Sequence, residues 1–410
     1  MRNRSFLALC ALILVNQIGF GIITPVLPAY ARTFGLGAGA IGLVIGIYGF
    51  ARFLANVPAG QLAERRGRRP VLIIGTLITA VAAALMATAG SLPQLLAYRL
   101  LAGLGAATVI TGGQIMVGDM ATPENRGRMM STYQGFFLFG VTVGPMAGGF
   151  LADWFSLRTS FIAYALFSAA AAVMAMVMIR ETKPEDAPAS TARVEAGETT
   201  EEPESTRTAV RRTVFSAGFI LISAVSLAQF IGRTGALFTV VPLLGTEVLH
   251  LTASDIGVAF TVVNILNIAT VYASGSFADR YGRKPVIAPA TLVAGLGMAM
   301  FAFSGSETMF MLSAAMWGLG AGISGPAPAA YVADLAPGKT RPQVFGYFRS
   351  VSDAGYIIGP IALGWITSQF GYHFPLLLTA GMIVVSGVLF WVFAPETHPR
   401  QSRKQNAPAA

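Results

Sequence analysis

Charge is what this chain has least of. Asp, Glu, Lys and Arg make up 11% of its 410 residues, against about a quarter in an ordinary soluble domain. A surface that large cannot be kept in water by so few charges, and with hydrophobic residues at 54% and a mean hydropathy of +0.64 the chain belongs in a bilayer. Cysteine is nearly missing: Cys10 stands alone, which excludes an internal disulfide. Three histidines, His250, His373 and His398, are too scattered for a metal site. Metal, redox and cofactor chemistry are therefore not expected. Absent too is a clustered His, Asp or Ser set of the kind a membrane-embedded enzyme needs. No stretch is long and apolar enough to fold as a separate soluble output domain, which argues against a non-transporting sensor.

What the chain does have is long apolar runs. About 20 such residues cross roughly 30 Å of hydrocarbon. Windows of this kind fall near 6–29, 41–63, 70–89, 93–118, 131–152, 160–179, 214–243, 256–277, 286–304, 308–333, 343–368 and 374–394. The net charge of +9 suggests nucleic acid only until its distribution is read. All but six of the 28 Lys and Arg lie in the tails and in the loops after even-numbered spans. Arg32 and Arg158 are the exceptions in the opposite loops; Arg52, Arg99, Arg233 and Arg349 fall inside spans. That asymmetry places both termini in the cytoplasm of a multi-pass protein of the cell inner (plasma) membrane, with no nucleic-acid partner. The first run follows Arg2 and Arg4 but is too long for a signal peptide and has no A-x-A-like site after it, so it is expected to remain as span 1.

One phrase occurs twice. Gly60-Gln-Leu-Ala-Glu64-Arg-Arg-Gly67-Arg68-Arg-Pro70 returns as Gly275-Ser-Phe-Ala-Asp279-Arg-Tyr-Gly282-Arg283-Lys-Pro285. The same interval carries Asp119 to Asp334, Gly144-Pro145 to Gly359-Pro360, and Glu181-Thr182 to Glu396-Thr397. Near the N-terminus it slips by one, so Gly21 and Pro28 map to Gly235 and Pro242. Four anchors at one interval mean a doubled unit, and an apolar unit of several spans points to a transporter with two related halves. The expected organisation is a six-helix bundle over 1–182, a flexible cytoplasmic linker over 183–212, a second six-helix bundle over 213–397, and a loose tail over 398–410. Two nucleotide motifs are decoys. Ala333 to Thr340 fits a loose P-loop pattern, but an apolar span precedes it where a strand is required. Gly320-Ala-Gly322-Ile-Ser-Gly325 lies mid-span, where small residues let helices approach.

The repeated phrase resembles the signature loop of the major facilitator superfamily, and the likeness covers essentially the whole chain. Arg99-Leu-Leu-Ala-Gly103-Leu-Gly105-Ala-Ala is similar to that family's span-4 motif, and Gly135 to Gly149, with Gly140, Gly144, Pro145, Gly148 and Gly149, to the span-5 motif of its antiporters. Arg180-Glu-Thr and Pro395-Glu-Thr resemble the closing phrases of each half. The resemblance implies an all-α membrane fold of twelve helices in two pseudo-symmetric bundles. It implies that Glu64, Arg68 and Asp119, mirrored by Asp279, Arg283 and Asp334, form cytoplasmic charge clusters that latch the outward-facing state. Glu64 departs from the family's usual Asp by one methylene, which shifts that contact. Spans 1, 4, 7 and 10 are implied to line a cavity, giving Asn16, Gln17, Arg99, Gln114, Gln229 and Arg233 as substrate contacts. Arg52 on span 2, like Arg99, lacks an obvious local acid and is a further cavity candidate; Asn264 and Asn267 on span 8 are weaker ones, since an Asn also serves as helix glue. Tyr48 and Tyr272 suit a cavity or an interface equally.

Burying an Arg at mid-span costs about 2.5–3.5 kcal/mol on insertion scales, so such residues face water or a partner. Arg349 and Asp353 are one turn apart on span 11 and are spaced for an ion pair. Asp353 is the one acid deep within a span: either it carries the coupling proton, or it permanently neutralises Arg349. The function expected from these residues and the resemblance is proton-coupled export of small molecules, of the drug or multidrug efflux type, by a monomer working through alternating access. Four buried Arg and only Asn16 and Gln17 on span 1 keep a second reading open, a symporter or facilitator for an anionic metabolite or sugar.

Overall fold

The computed structural model of the chain describes residues 2–122, 125–183, 204–324, 327–336, 338 and 340–397, and among these every regular element is helical. The chain forms two compact units, Met1–Glu198 with Gly245–Thr261, and Thr199–Leu244 with Val262–Ala410. The expected halves differ from this at Gly245–Thr261, which lies in the second repeat but packs within the first unit.

In the first unit the helices are α1 (Arg2–Ile23), α2 (Val26–Arg32), α3 (Ala38–Arg66), α4 (Arg68–Ala87), α5 (Leu92–Met120), α6 (Arg126–Trp154) and α7 (Leu157–Val177). Helix α1 packs on α6 and α7, α4 on α5 and α7, and α3 on α5. The single span expected over 6–29 is interrupted at Thr24–Pro25, because proline lacks the N–H that would continue the ladder and biases the residue before it away from helix. The Thr24 hydroxyl takes up the Phe20 carbonyl at 3.0 Å.

The second unit opens with α8 (Glu204–Val214) and α9 (Ala217–Phe230), then a π-helical stretch, Ile231–Val240, and α10 (Val241–Glu247). There follow α11 (Ala253–Tyr281), which begins in the first unit, then α12 (Lys284–Ala302), α13 (Glu307–Ser324), α14 (Ala327–Leu335), α15 (Arg341–Phe370) and α16 (His373–Phe393). The packing repeats with the sequence: the π stretch lies on α15, α9 on α16, and α12 on α13 and α16. Residues 204–212, expected as loose linker, are helical because Val210 is buried in a core with Phe219, Ile222 and Tyr331. The rest of that linker beyond Lys183, and the tail from His398, lie outside the described residues.

Among the described residues ten helices are long and apolar enough to cross a membrane. The remaining two expected spans are helical as well. One is described as α13 and α14, on either side of residues 325–326, which lie outside the described residues; the other is α15, whose 30 residues include Arg349 and Asp353 and so dilute its apolar character. The glycines of the span-5 phrase set the closest approach in the first unit. A Cβ on Gly144 would stand 2.6 Å from the Gly21 Cα, and one on Gly140 would stand 2.7 Å from the Leu14 carbonyl oxygen. A Cβ on Gly148 would run into the Ile22 backbone. With Pro145 in their midst, these positions face α1 once per helical turn.

Candidate functional site

The repeated loop is built twice on the same plan, each time within one unit. Gly67 and Gly282 end α3 and α11 at φ +100° and +105°, a left-handed turn that favours glycine. The next helix starts at once and leaves its first N–H groups without intrahelical partners. A glutamate from the closing phrase of the same half meets them. The Glu181 carboxylate accepts from Arg68 N at 2.9 Å, Arg69 N at 3.1 Å, and Thr182 N and Lys183 N at 2.9 Å each. Partial burial pushes its pKa up, but these four backbone N–H groups outweigh that and hold it below the ordinary value. Glu396 does the same for Arg283 N and Lys284 N, at 3.1 Å each.

This cap aims the arginine. Arg68 Nε donates to Asp119 Oδ2 at 2.8 Å, and the Thr182 hydroxyl donates to the same oxygen at 3.1 Å. In the second unit Arg283 Nε donates to Asp334 Oδ2 at 3.1 Å and its Nη1 to Asp279 Oδ1 at 2.5 Å. Burial lowers the Arg283 pKa, yet the two carboxylates more than reverse this, and it stands above the usual guanidinium value. Glu64 is the exception among the six residues expected here. Arg68 Nη1 donates to the Ala63 carbonyl at 3.1 Å, and Glu64 stays exposed outside the ion pairs described. The sequence alone assigns Glu181 and Glu396 no role beyond the closing phrases, although their recurrence at the repeat interval is the available signal.

Deeper in the first unit, Arg52 and Arg99 converge on one ring. The Arg99 guanidinium lies 4.4 Å from the Tyr48 ring centroid and Arg52 5.9 Å from it. Arg99 is buried and donates through Nε to the Val44 carbonyl at 3.2 Å. Phe20 stacks on Tyr48 at 5.6 Å and brings α1 to the cluster. Asn16 and Gln17, one turn earlier on α1, are both buried, and the Asn16 Nδ2 makes no hydrogen bond among the described residues. Gln17 packs against Gly140, and Gln114 on α5 is half-buried.

In the second unit Asp353 is half-buried near the middle of α15. Its neighbours pin the helix to α9 and the π stretch. Ser352 hydrogen-bonds Ser226 at 2.8 Å, and a Cβ on Gly359 would stand 3.0 Å from the Ile231 Cα. Arg349 is exposed on the same helix, and the ion pairs given among the described residues do not include it. Gln229 is half-buried at the end of α9 with Nε2 lacking a hydrogen bond, and Arg233 is exposed on the π stretch. Asn264 is half-buried; Asn267 presents its backbone to α13, where a Cβ on Gly322 would stand 2.5 Å from its carbonyl oxygen. The π stretch carried no sequence signal, yet such insertions are frequent at functional sites.

The family model described as Major Facilitator Superfamily matches residues 9–253 and 222–410. Among curated proteins, the chain is 25% identical over 386 residues to Multidrug resistance protein 2 of Bacillus subtilis (strain 168), covering 93% of each chain. It is 25% identical over 398 residues to the class H tetracycline resistance protein of Pasteurella multocida, covering 95% of this chain and 96% of that one. Among solved structures, a D-xylose-proton symporter aligns with a TM-score of 0.73 at 16% identity, covering 96% of this chain and 99% of its own, a likeness of fold alone. Twice-built capped loops, helix pairings that recur with the repeat, and a family match across both halves lead to one conclusion: the chain belongs to the Major Facilitator Superfamily and is a multi-pass membrane transporter, not an enzyme.

Proposed function

We propose that the chain is a proton-coupled exporter of small molecules, of the drug efflux type, working as a monomer by alternating access in the cell inner membrane with both termini in the cytoplasm. The observation that carries this reading is the placement of Asp353. Every other acid in a described helix lies within two residues of a helix end, whereas Asp353 sits twelve residues inside α15. An ionisable residue at that depth in a span marks a functional site by default. Proton binding removes its charge, and a state that holds the neutral form better gains population by the difference. Export is favoured by the full-length similarity to two resistance proteins. The two braced loops, Arg68–Asp119 and Arg283–Asp279–Asp334, act as the cytoplasmic gate, and Asn16, Gln17, Arg52, Arg99, Gln114, Gln229, Arg233, Asn264 and Asn267 are the pool from which substrate contacts come.

The test is transport in proteoliposomes under an imposed pH gradient, with tetracycline as a first cargo. Wild-type protein should accumulate cargo against the proton flux. Asp353→Asn should abolish uphill movement and retain downhill exchange. Undiminished uphill transport by that variant removes Asp353 from coupling. A second reading, symport or facilitated passage of an anionic metabolite or sugar, is favoured by Arg52 and Arg99 on the Tyr48 ring, where α1 offers only Asn16 and Gln17. Flux in the direction of the proton gradient would select it.

A further inference from the structure

Helix α8 lies outside the apolar spans, and one of its sides is already covered within the second unit. Val210 is buried with Phe219, Ile222 and Tyr331, and Val214 packs against the same core. Four residues separate the two valines, so they form one stripe along the helix. Outside that stripe lie Thr208, Arg211 and Arg212, all exposed. Thr208 precedes one arginine by three residues and the other by four, which places it on the same side as both. Neither guanidinium makes an ion pair among the described residues, and the first turn of α9 offers no acid. Two arginines are thus held outward by a helix whose other side is fixed.

The corner between α8 and α9 sets their height. Phe215 N donates to the Arg211 carbonyl and Ser216 N to the Thr213 carbonyl, at 3.0 Å each. The Ser216 hydroxyl donates to the Thr213 carbonyl at 2.7 Å and accepts from Phe219 N at 3.3 Å, capping α9 while holding the end of α8. The stretch able to cross a membrane begins at the next residue, Ala217. Arg212 therefore precedes the span by roughly 8 Å at the helical rise, and the headgroup layer is about 5–8 Å deep on each side of the hydrocarbon. Phe215 at the corner is 71% exposed, and Ile220 in the first turn of α9 is 52% exposed. The outer surface is apolar where hydrocarbon starts and cationic where headgroups start. Helix α15 packs on α8, and its first residue, Arg341, is a third exposed cation outside the ion pairs described.

We propose that the outer side of α8 is a docking surface for anionic phospholipid headgroups, with Arg211 and Arg212 taking phosphate oxygens and Phe215 lying at the edge of the acyl region. A guanidinium presents parallel N–H donors that match a phosphate. Orienting the chain in the membrane needs only positive charge in this loop. It does not need that charge on a helix pinned by a buried valine and joined to the span through a capped corner, which holds both guanidiniums at one level. A zwitterionic lipid carries the same phosphate without net charge, so the preference for an anionic one is electrostatic and falls with salt. The surface lies wholly in the second unit and makes no demand on cargo or on proton coupling.

The test uses the full chain in lipid nanodiscs. In a Cys10→Ser background, Thr208→Cys carries a nitroxide beside the two arginines, and its EPR spectrum gives the ratio of immobile to mobile label. Replacing part of the phosphatidylcholine with phosphatidylglycerol should raise that ratio about tenfold at low salt, and high salt should reverse the rise. Arg211→Gln with Arg212→Gln should cancel it, while Arg211→Lys with Arg212→Lys should keep most of it. An equal ratio in the two lipids overturns the proposal, as does a rise that survives in the double Gln variant. Immobilisation in phosphatidylcholine on adding inorganic phosphate would assign the surface to a free anion instead. The rival within the chain is the acidic run that precedes α8 in sequence, with Glu198, Glu201 and Glu202. Immobilisation in phosphatidylcholine alone that disappears when these three become Gln would give the surface to them and overturn the lipid assignment.

Discussion

Glu181→Gln is the sharpest perturbation the structure offers, because one carboxylate serves four backbone donors and its twin, Glu396, provides an internal control. The substitution keeps size and one carbonyl oxygen, removes the charge, and turns one acceptor oxygen into a donor. Hydrogen bonds to a charged group contribute about 1.5–3 kcal/mol and neutral ones about 0.5–1.5 kcal/mol. The bonds to Arg68 N and Arg69 N, at 2.9 and 3.1 Å, would therefore each weaken by about 1 kcal/mol before any discount. Glu181 is an exposed residue, and solvent screening reduces the sum to about 1–2 kcal/mol. In hydrogen exchange that is about a 5- to 30-fold faster rate at those two amides, as long as opening is faster to reverse than to exchange. Mass spectrometry of a peptide spanning 66–70 reads it directly. Arg283 and Lys284, held by Glu396 at 3.1 Å, should keep their rates in the same sample. Glu396→Gln should reverse the pattern. Equal protection at Arg68 and Arg69 in wild type and variant would refute the cap as the element that orders this loop.

The same glutamate gives a pH signature: its folded pKa is lowered from the ordinary 4.5, so its contribution is full above that value, declines below it, and is gone once pH falls through the lowered folded value; exchange at Arg68 and Arg69, corrected for intrinsic pH dependence, should track that course. Asp119→Asn, which takes the charge from under both Arg68 and Thr182, should destabilise the first unit by about 1–3 kcal/mol, whereas Glu64→Ala should be silent within about 0.5 kcal/mol; thermal unfolding in detergent ranks the two. Gly144→Val should lower the midpoint by several degrees because its side chain meets the Gly21 and Ile18 backbones, while Gly135→Ala, which meets nothing within 4 Å, should leave it in place. Gly67→Ala should loosen the same loop as Glu181→Gln, since φ is +100° there and the new methyl would meet the Glu181 carboxyl; wild-type exchange at Arg68 in that variant would count against it.

The fold was legible because membrane helices announce themselves by length and apolarity, and because duplication supplied a ruler. Each apolar window overlaps helix among the described residues, although the one over 6–29 is interrupted at Thr24–Pro25, and residues at the repeat interval, such as Arg68 and Arg283, have matching partners. Illegible was whatever depends on side-chain direction. Glu64 and Asp279 occupy the same place in the phrase, yet only Asp279 reaches its arginine, because Arg68 turns an Nη to the Ala63 carbonyl. Within the π stretch at Ile231–Val240, Gly235 packs closely on Gly359, a tertiary contact with no local periodicity to reveal it.

Where the repeats agree and where they differ divides the charges by role. Arg68 with Asp119, and Arg283 with Asp334, recur with their capping glutamates and brace each bundle in the same way. The charges inside spans do not recur. Arg52 maps to Asn267, Arg99 to Ala314, Arg349 to Gln134 and Asp353 to Leu138. The halves of this superfamily repeat in parallel, about an axis along the membrane normal, so a residue and its repeat mate belong to the same membrane face. Under the proposed function a single carboxylate, Asp353, carries the coupling proton, and its protonation shifts the two access states unequally. Leu138→Asp tests this: a second acid at the repeat-related position adds a second proton site, and cargo accumulation in the same proteoliposomes should change its dependence on the size of the pH gradient, whereas Leu138→Asn should leave that dependence in place. A gradient dependence equal to that of wild type, in a Leu138→Asp variant that still transports, would show that an acid at this position does not set coupling.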